Sequence, residues 1–131
     1  LRGELGDDAF FSALKPYVAT CRGSSVITDD FITLIERETK TELSWFFEQW
    51  LNGVGCPELK VTSSDKAITI EQVQKGTPYK FWLRMRWQDG AGESVERRIR
   101  VDQARVVVPL DGACNQLQLD PGVELLFRQI K

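Results

Sequence analysis

The hydrophobic period of this chain changes once, and the change falls inside residues 42–61, ELSWFFEQWLNGVGCPELKV. Before it, apolar residues recur at helical spacing; after it, they alternate. A stripe of period 3.6 and an alternation of period two bury different faces, so such a chain is constrained to helices followed by sheet. Within the stretch, Leu43, Phe46, Phe47, Trp50 and Leu51 fall at i, i+3, i+4, i+7 and i+8, which predicts one apolar helical face. Ser44, Glu48, Gln49 and Asn52 lie opposite. Trp45 breaks the pattern, about 200° round from Leu43, and reads either as tucked under a loop or as part of an exposed apolar surface. Thr41 is the expected N-cap and Gly53 the expected left-handed residue past the C-terminus. Pro57 then forbids helical continuation.

Upstream, residues 1–5 read as the end of a helix, with Gly6 as its C′ residue and Asp7 capping the next. In that next helix Phe10, Leu14, Tyr17, Val18 and Cys21 share a face that Phe11 widens. Pro16 offers no N–H to the carbonyl of Ser12 and crowds that turn, so a kink or a division is expected there. Residues 22–25 are a polar loop. Thr28 is the expected cap of a third helix, whose Asp29 and Asp30 suit the positive first turn. Phe31, Leu34 and Ile35 form its buried stripe, flanked by Ile32, and Glu36, Arg37, Glu38 and Lys40 its solvated side.

Beyond Pro57, Leu59 with Val61 and Ile68 with Ile70 alternate on either side of a turn at Ser63, Ser64 and Asp65, which predicts a hairpin. In the longest strand Phe81, Leu83, Met85 and Trp87 point one way and Trp82, Arg84 and Arg86 the other. Asp89, Gly90, Ala91 and Gly92 turn the chain, and Val95, Ile99 and Val101 return inward with Arg97 as the exception. Pairing Trp87 with Val95 sets Arg86 opposite Glu96, Arg84 opposite Arg98 and Trp82 opposite Arg100. That basic and aromatic face reads as a solvated surface, a ligand or nucleic-acid platform, or a surface packed on another domain. Residues 106–108, bounded by Pro109, read as a strand buried on both faces or near an edge. Leu117 with Leu119 and Leu125 with Phe127 complete about seven strands at the spacing of a sandwich. The expected fold is α+β in two parts: a helical segment over 1–56 and an immunoglobulin-like β-sandwich over 57–131.

Charge and composition narrow the function. The 131 residues carry a net charge of −2, and no apolar run approaches the ~20 residues that span a bilayer. Residues 1–56 hold 5 basic and 9 acidic side chains, residues 57–131 hold 12 and 10. Neither balance argues for a polyanion, so no nucleic-acid or membrane partner is expected. A soluble protein is expected, cytoplasmic or periplasmic, with the compartment left open. Cys21, Cys56 and Cys114 are too dispersed for a metal or redox motif; they read as buried free thiols, or as one disulfide or a reactive thiol. There is no histidine. That excludes H-E-x-x-H zinc sites and Ser-His or Cys-His nucleophilic pairs from these residues, and no phosphate-cradling glycine loop occurs.

The arrangement of Trp45, Phe46, Phe47, Trp50, Leu51, Gly53, Gly55, Pro57, Leu59 and Val61 resembles the end of the catalytic domain in aminopeptidase N-like zinc metallopeptidases, the gluzincin alanyl aminopeptidases. Leu1-Arg2, Leu5-Gly6-Asp7, Phe10-Phe11, Thr28 and Asp30-Phe31 match the same family at roughly its spacing; the second half matches in general strand character. In that family a β-sandwich follows. The resemblance implies a C-terminal fragment that begins inside a longer chain and supports an upstream catalytic domain. Zinc and the hydrolysis of N-terminal residues from peptides would belong to that upstream domain. No catalytic, zinc-binding or substrate-anchoring residue of the family falls on a position here, so the expected cofactor of this chain is none. Trp45, Phe46, Phe47, Trp50, Gly53, Gly55 and Pro57 are structural anchors in this reading. The alternative is a protein-binding module of a catalytically inactive relative. If the Trp45 face, with part of the Phe10–Phe11 helix, meets that upstream domain, it is uncovered in the isolated chain and self-association is expected; a Trp45 tucked under a loop leaves no such surface.

Overall fold

The change of period is a change of architecture. A computed structural model describes residues 1–131, and the chain divides into two units, Leu1–Val54 and Gly55–Lys131. The first is helical and the second is β, an α+β fold of helices followed by sheet.

The helical unit contains α1 (Arg2–Leu5), α2 (Asp7–Cys21), α3 (Thr28–Thr39) and α4 (Ser44–Phe47), the last running directly into a π-helical turn at Glu48–Asn52. Its core is Ala13, Leu34, Ile35, Leu43 and Phe47, with Leu1, Leu5, Tyr17, Phe31, Ile32 and Phe46 packed against it. Aromatic edges join the helices: Tyr17 meets Phe31 at 5.0 Å and Phe31 meets Phe47 at 6.3 Å, both nearly perpendicular.

Several local expectations are corrected. The division weighed at Pro16 does not occur, and α2 continues through it as one element. Its buried face centres on Ala13, while Val18 and Phe11 are exposed, because a small residue lets the backbone of α2 approach its neighbour. Gly6, with φ +82°, joins α1 to α2 and takes the N-cap position expected for Asp7. Asp7 instead holds Arg2 through two bonds of 2.8 and 3.0 Å. Ile27, not Thr28, precedes α3, and the Asp30 carboxylate accepts from the Ile27 N–H at 3.1 Å. The negative group thus satisfies an orphan donor directly.

The sheet unit contains β1 (Glu58–Ser63), β2 (Ala67–Gln72), β3 (Phe81–Gln88), β4 (Ser94–Val101), β5 (Arg105–Pro109), β6 (Asn115–Leu119) and β7 (Arg128–Ile130). They form a four-stranded sheet, β5-β2-β1-β7, and a three-stranded sheet, β4-β3-β6. Leu59, Ile68, Ile70 and Val108 are buried from the first, and Phe81, Leu83, Met85, Trp87 and Val101 from the second. One face of each sheet is therefore apolar and buried, the pattern of a two-layer sandwich. The chain passes between sheets after β2, β4, β5 and β6.

Gln72 pins the first crossing. Its buried amide donates to the carbonyls of Tyr79 and Gln103 at 2.8 and 3.0 Å, and its Oε1 accepts from the Tyr79 N–H at 2.8 Å. The expected β3–β4 register is present, Trp87 opposite Val95 through Phe81 opposite Val101. Residues 106–108 lie in an edge strand with one buried face, Val108 inside and Val107 exposed. The final strand differs from expectation. Leu125 and Phe127 lie in a loop, because buried Asp120 accepts from the N–H groups of Glu124 and Leu125 at 2.9 Å each and holds a turn there. The strand forms later, at β7, parallel to β1.

Candidate functional site

Of the seven anchor residues, four gather in the helical unit. Phe46 stands at the middle: Trp45 meets it at 5.8 Å, Phe47 at 5.5 Å and Trp50 at 6.3 Å. Phe47 is buried, and Trp45, Phe46 and Trp50 are half-buried. The single apolar face expected through Leu51 does not persist. The Gly53 N–H bonds the carbonyl of Glu48, five residues back, so the turn is wider than an α-turn and Leu51 rotates out to 59% exposure. Nor does Thr41 cap the helix, since its hydroxyl donates to the Thr39 carbonyl. Two glutamates replace it: Glu36 accepts from the Leu43 N–H at 2.7 Å and Glu42 from the Ser44 N–H at 2.9 Å. Such an acceptor seven residues away has no local signature.

Gly53 is extended, with φ −67° and ψ 146°, and the positive φ falls on Gly55 at +94°. No heavy atom lies within 4 Å of where a Gly55 Cβ would stand, so backbone conformation is what favours glycine there. Pro57 is fully buried, and its carbonyl accepts from the Arg128 N–H at 2.8 Å, which begins the β1–β7 ladder. These anchors hold backbone and rings in place; none presents a nucleophile, acid or base.

Two clefts exist. One, about 570 Å³, lies between the start of α3 and the π-helical turn, among Thr28, Ile32, Phe47, Glu48, Leu51 and Asn52. Glu48 there accepts from the Asn52 amide at 2.6 Å. The other, about 330 Å³, lies at one end of the sandwich among Trp87, Val95, Arg97, Leu110, Asp111 and Ala113. It accounts for the inward-register arginine, because the Arg97 guanidinium lies over the Trp87 ring at 5.7 Å.

The outer face of β3 and β4 is the most strongly patterned surface. Arg86 reaches Glu96 at 2.8 Å, and Arg84 reaches Glu96 and Glu124 at 3.4 Å each. The repulsion expected between Arg84 and Arg98 is relieved, since the Arg98 guanidinium turns onto the Trp82 ring at 4.8 Å and Arg100 approaches that ring at 5.4 Å. Sequence register located these residues. It missed Glu124, which arrives from a loop 40 positions away from Arg84 in the chain.

The sequence has no histidine, and no group of three His, Cys, Asp or Glu side chains converges where it could hold an ion. Cys21, Cys56 and Cys114 are free and part-buried. Burial pushes the Cys114 thiol up, partly offset by a hydrogen bond with Ser63, which disfavours the nucleophilic thiolate. No helix is long and apolar enough to cross a membrane. The chain matches no protein-family model and no curated protein sequence.

Proposed function

We propose that this chain is the non-catalytic C-terminal portion of an aminopeptidase N-like zinc metallopeptidase. Its helical unit would close an upstream catalytic domain, and its sheet unit would support that domain. What carries the reading is the run from Trp45 to Val61, whose aromatic, glycine and proline positions straddle the change from helices to sheet as they do in that family. The uneven cover of the helical unit supports it as well. Phe11, Val18 and Leu51 are 46%, 60% and 59% exposed, and in an intact peptidase such residues would meet preceding helices. Peptide substrate and zinc would belong to the preceding residues, and no step of the hydrolysis is assigned to this chain.

The test begins with the residues encoded immediately upstream of Leu1. Under this reading they contain H-E-x-x-H and a later glutamate, and the protein that includes them releases N-terminal residues from aminoacyl-nitroanilides. A chelator abolishes that activity and zinc restores it, while the 131-residue chain alone is inert. An upstream region without H-E-x-x-H overturns the peptidase reading and leaves a protein-binding module of an inactive relative. One zinc held per 131-residue chain after dialysis would overturn both the fragment reading and the anchor assignments.

A further inference from the structure

Strand β4 combines three properties that the supporting role does not use. It ends its sheet and is laddered only to β3. It is eight residues long, SVERRIRV, long enough to template another strand. It also carries Arg97, Arg98 and Arg100, with Arg97 and Arg98 exposed and Arg100 partly so. An edge strand offers outward backbone N–H and C=O groups at alternate residues, and an incoming extended segment pairs with them as an added strand. Its side chains then alternate between the two faces of the sheet.

On the outer face such a segment would run beside Ser94, Glu96, Arg98 and Arg100, the residues that pair with Gln88, Arg86, Arg84 and Trp82 of β3. On that face Arg84 and Arg86 pair with Glu96, Arg84 also with Glu124, and Arg98 and Arg100 lie at the Trp82 ring beside them. Arg98 and Arg100 approach the Trp82 ring, so the indole fixes both cations near one end of the strand. We infer that the β4 edge receives an extended acidic peptide segment as an added strand, with its carboxylates seated beside Arg98 and Arg100. Main-chain pairing supplies attraction without sequence preference, and charge complementarity selects acidic partners over basic ones. A polynucleotide fits less well, because residues 57–131 hold 12 basic against 10 acidic side chains and phosphate recognition needs a larger cationic excess. The inference stands whether or not a zinc site precedes the chain.

The competing explanation is protective, since charged side chains on an edge strand also deter pairing. The two diverge in a titration of the 131-residue chain with a capped octapeptide of alternating threonine and glutamate, followed by calorimetry and by amide hydrogen exchange. Expected are salt-sensitive binding, slowed exchange confined to β4 amides, and no binding of the threonine–lysine counterpart. Binding should weaken about tenfold in R98E/R100E, and less in R98Q/R100Q, as paired cross-strand charges are reversed or removed. K60E/K66E, on β1 of the other sheet and in the turn that follows it, should leave it unchanged. Both arginine variants should keep the parent's circular dichroism and melting temperature, so that weakened binding is not unfolding. Absence of binding, equal affinity in R98E/R100E, or protection away from β4 would overturn the inference. So would equally tight binding of an eight-nucleotide thymidine oligomer, which would make the face a nucleic-acid platform.

Discussion

The helical unit and the sheet unit reach order by different routes. In the sheet unit each strand is fixed by its neighbours, because a one-residue slip would carry every side chain to the wrong face. Leu59, Ile68, Ile70, Leu83, Met85 and Val101 are accordingly 0% exposed. In the helical unit five residues are buried in the core, and the remaining apolar side chains are part-covered or exposed. Its order rests on a few ring contacts and on side chains that cap distant backbone. The difference predicts that the same kind of insult will act locally in one unit and globally in the other.

The largest effect should come from the helical core. Phe47 touches both Phe31 and Phe46, and Phe47→Ala is expected to cost about 3–5 kcal/mol. Loss of helical ellipticity with the tryptophan environment of β3 retained would match the comparison; an unchanged denaturant midpoint would remove Phe47 from the core. Next is Gln72→Leu, which leaves the Tyr79 and Gln103 carbonyls and the Tyr79 N–H without their partner inside the sheet unit. About 3 kcal/mol is expected, read as a lowered unfolding midpoint, and a neutral result would show that the β2–β3 crossing is held some other way. Glu36→Ala removes the acceptor of the Leu43 N–H and should cost about 1 kcal/mol, with faster exchange of the Leu43 amide as the specific sign. Smallest is Glu96→Gln on the half-exposed outer face, where an ion pair is worth less than about 1 kcal/mol.

The same contrast decides what could be read in the sequence. Alternation at Phe81, Leu83, Met85 and Trp87, with Asp89 to Gly92 as the turn, determined strand, face and register together. The Asp89 carboxylate indeed accepts from the Ala91 and Glu93 N–H groups at 2.9 Å each. Helical periodicity found α3 and its Leu34–Ile35 stripe equally well. It failed where a distant group intervened. Nothing local to Leu43 announces Glu36 as its cap, and the extra residue in the turn at Glu48–Asn52 shifts Leu51 away from a face that a constant 3.6 period assigns to it. Asp120 redirected the last strand by capturing two backbone N–H groups, a role that an aspartate before proline and glycine only hints at. The basic face was legible as a set of positions, yet its geometry was not: pairing by register predicted that Arg84 would oppose Arg98, and freely rotating long side chains resolved that conflict through Glu96, Glu124 and Trp82.

Whether the sheet unit carries its own stability while the helical unit depends on cover it does not contain is tested most directly by native-state hydrogen exchange on the 131-residue chain. The amides of Ile70 and Leu83 should exchange only through global unfolding. Those of Leu34 and Ile35 should open locally, at least about 2 kcal/mol more easily, roughly thirtyfold in opening constant. Equal protection of the two sets, falling together in denaturant, would contradict the account, since it would make the helical unit as self-sufficient as the sheet.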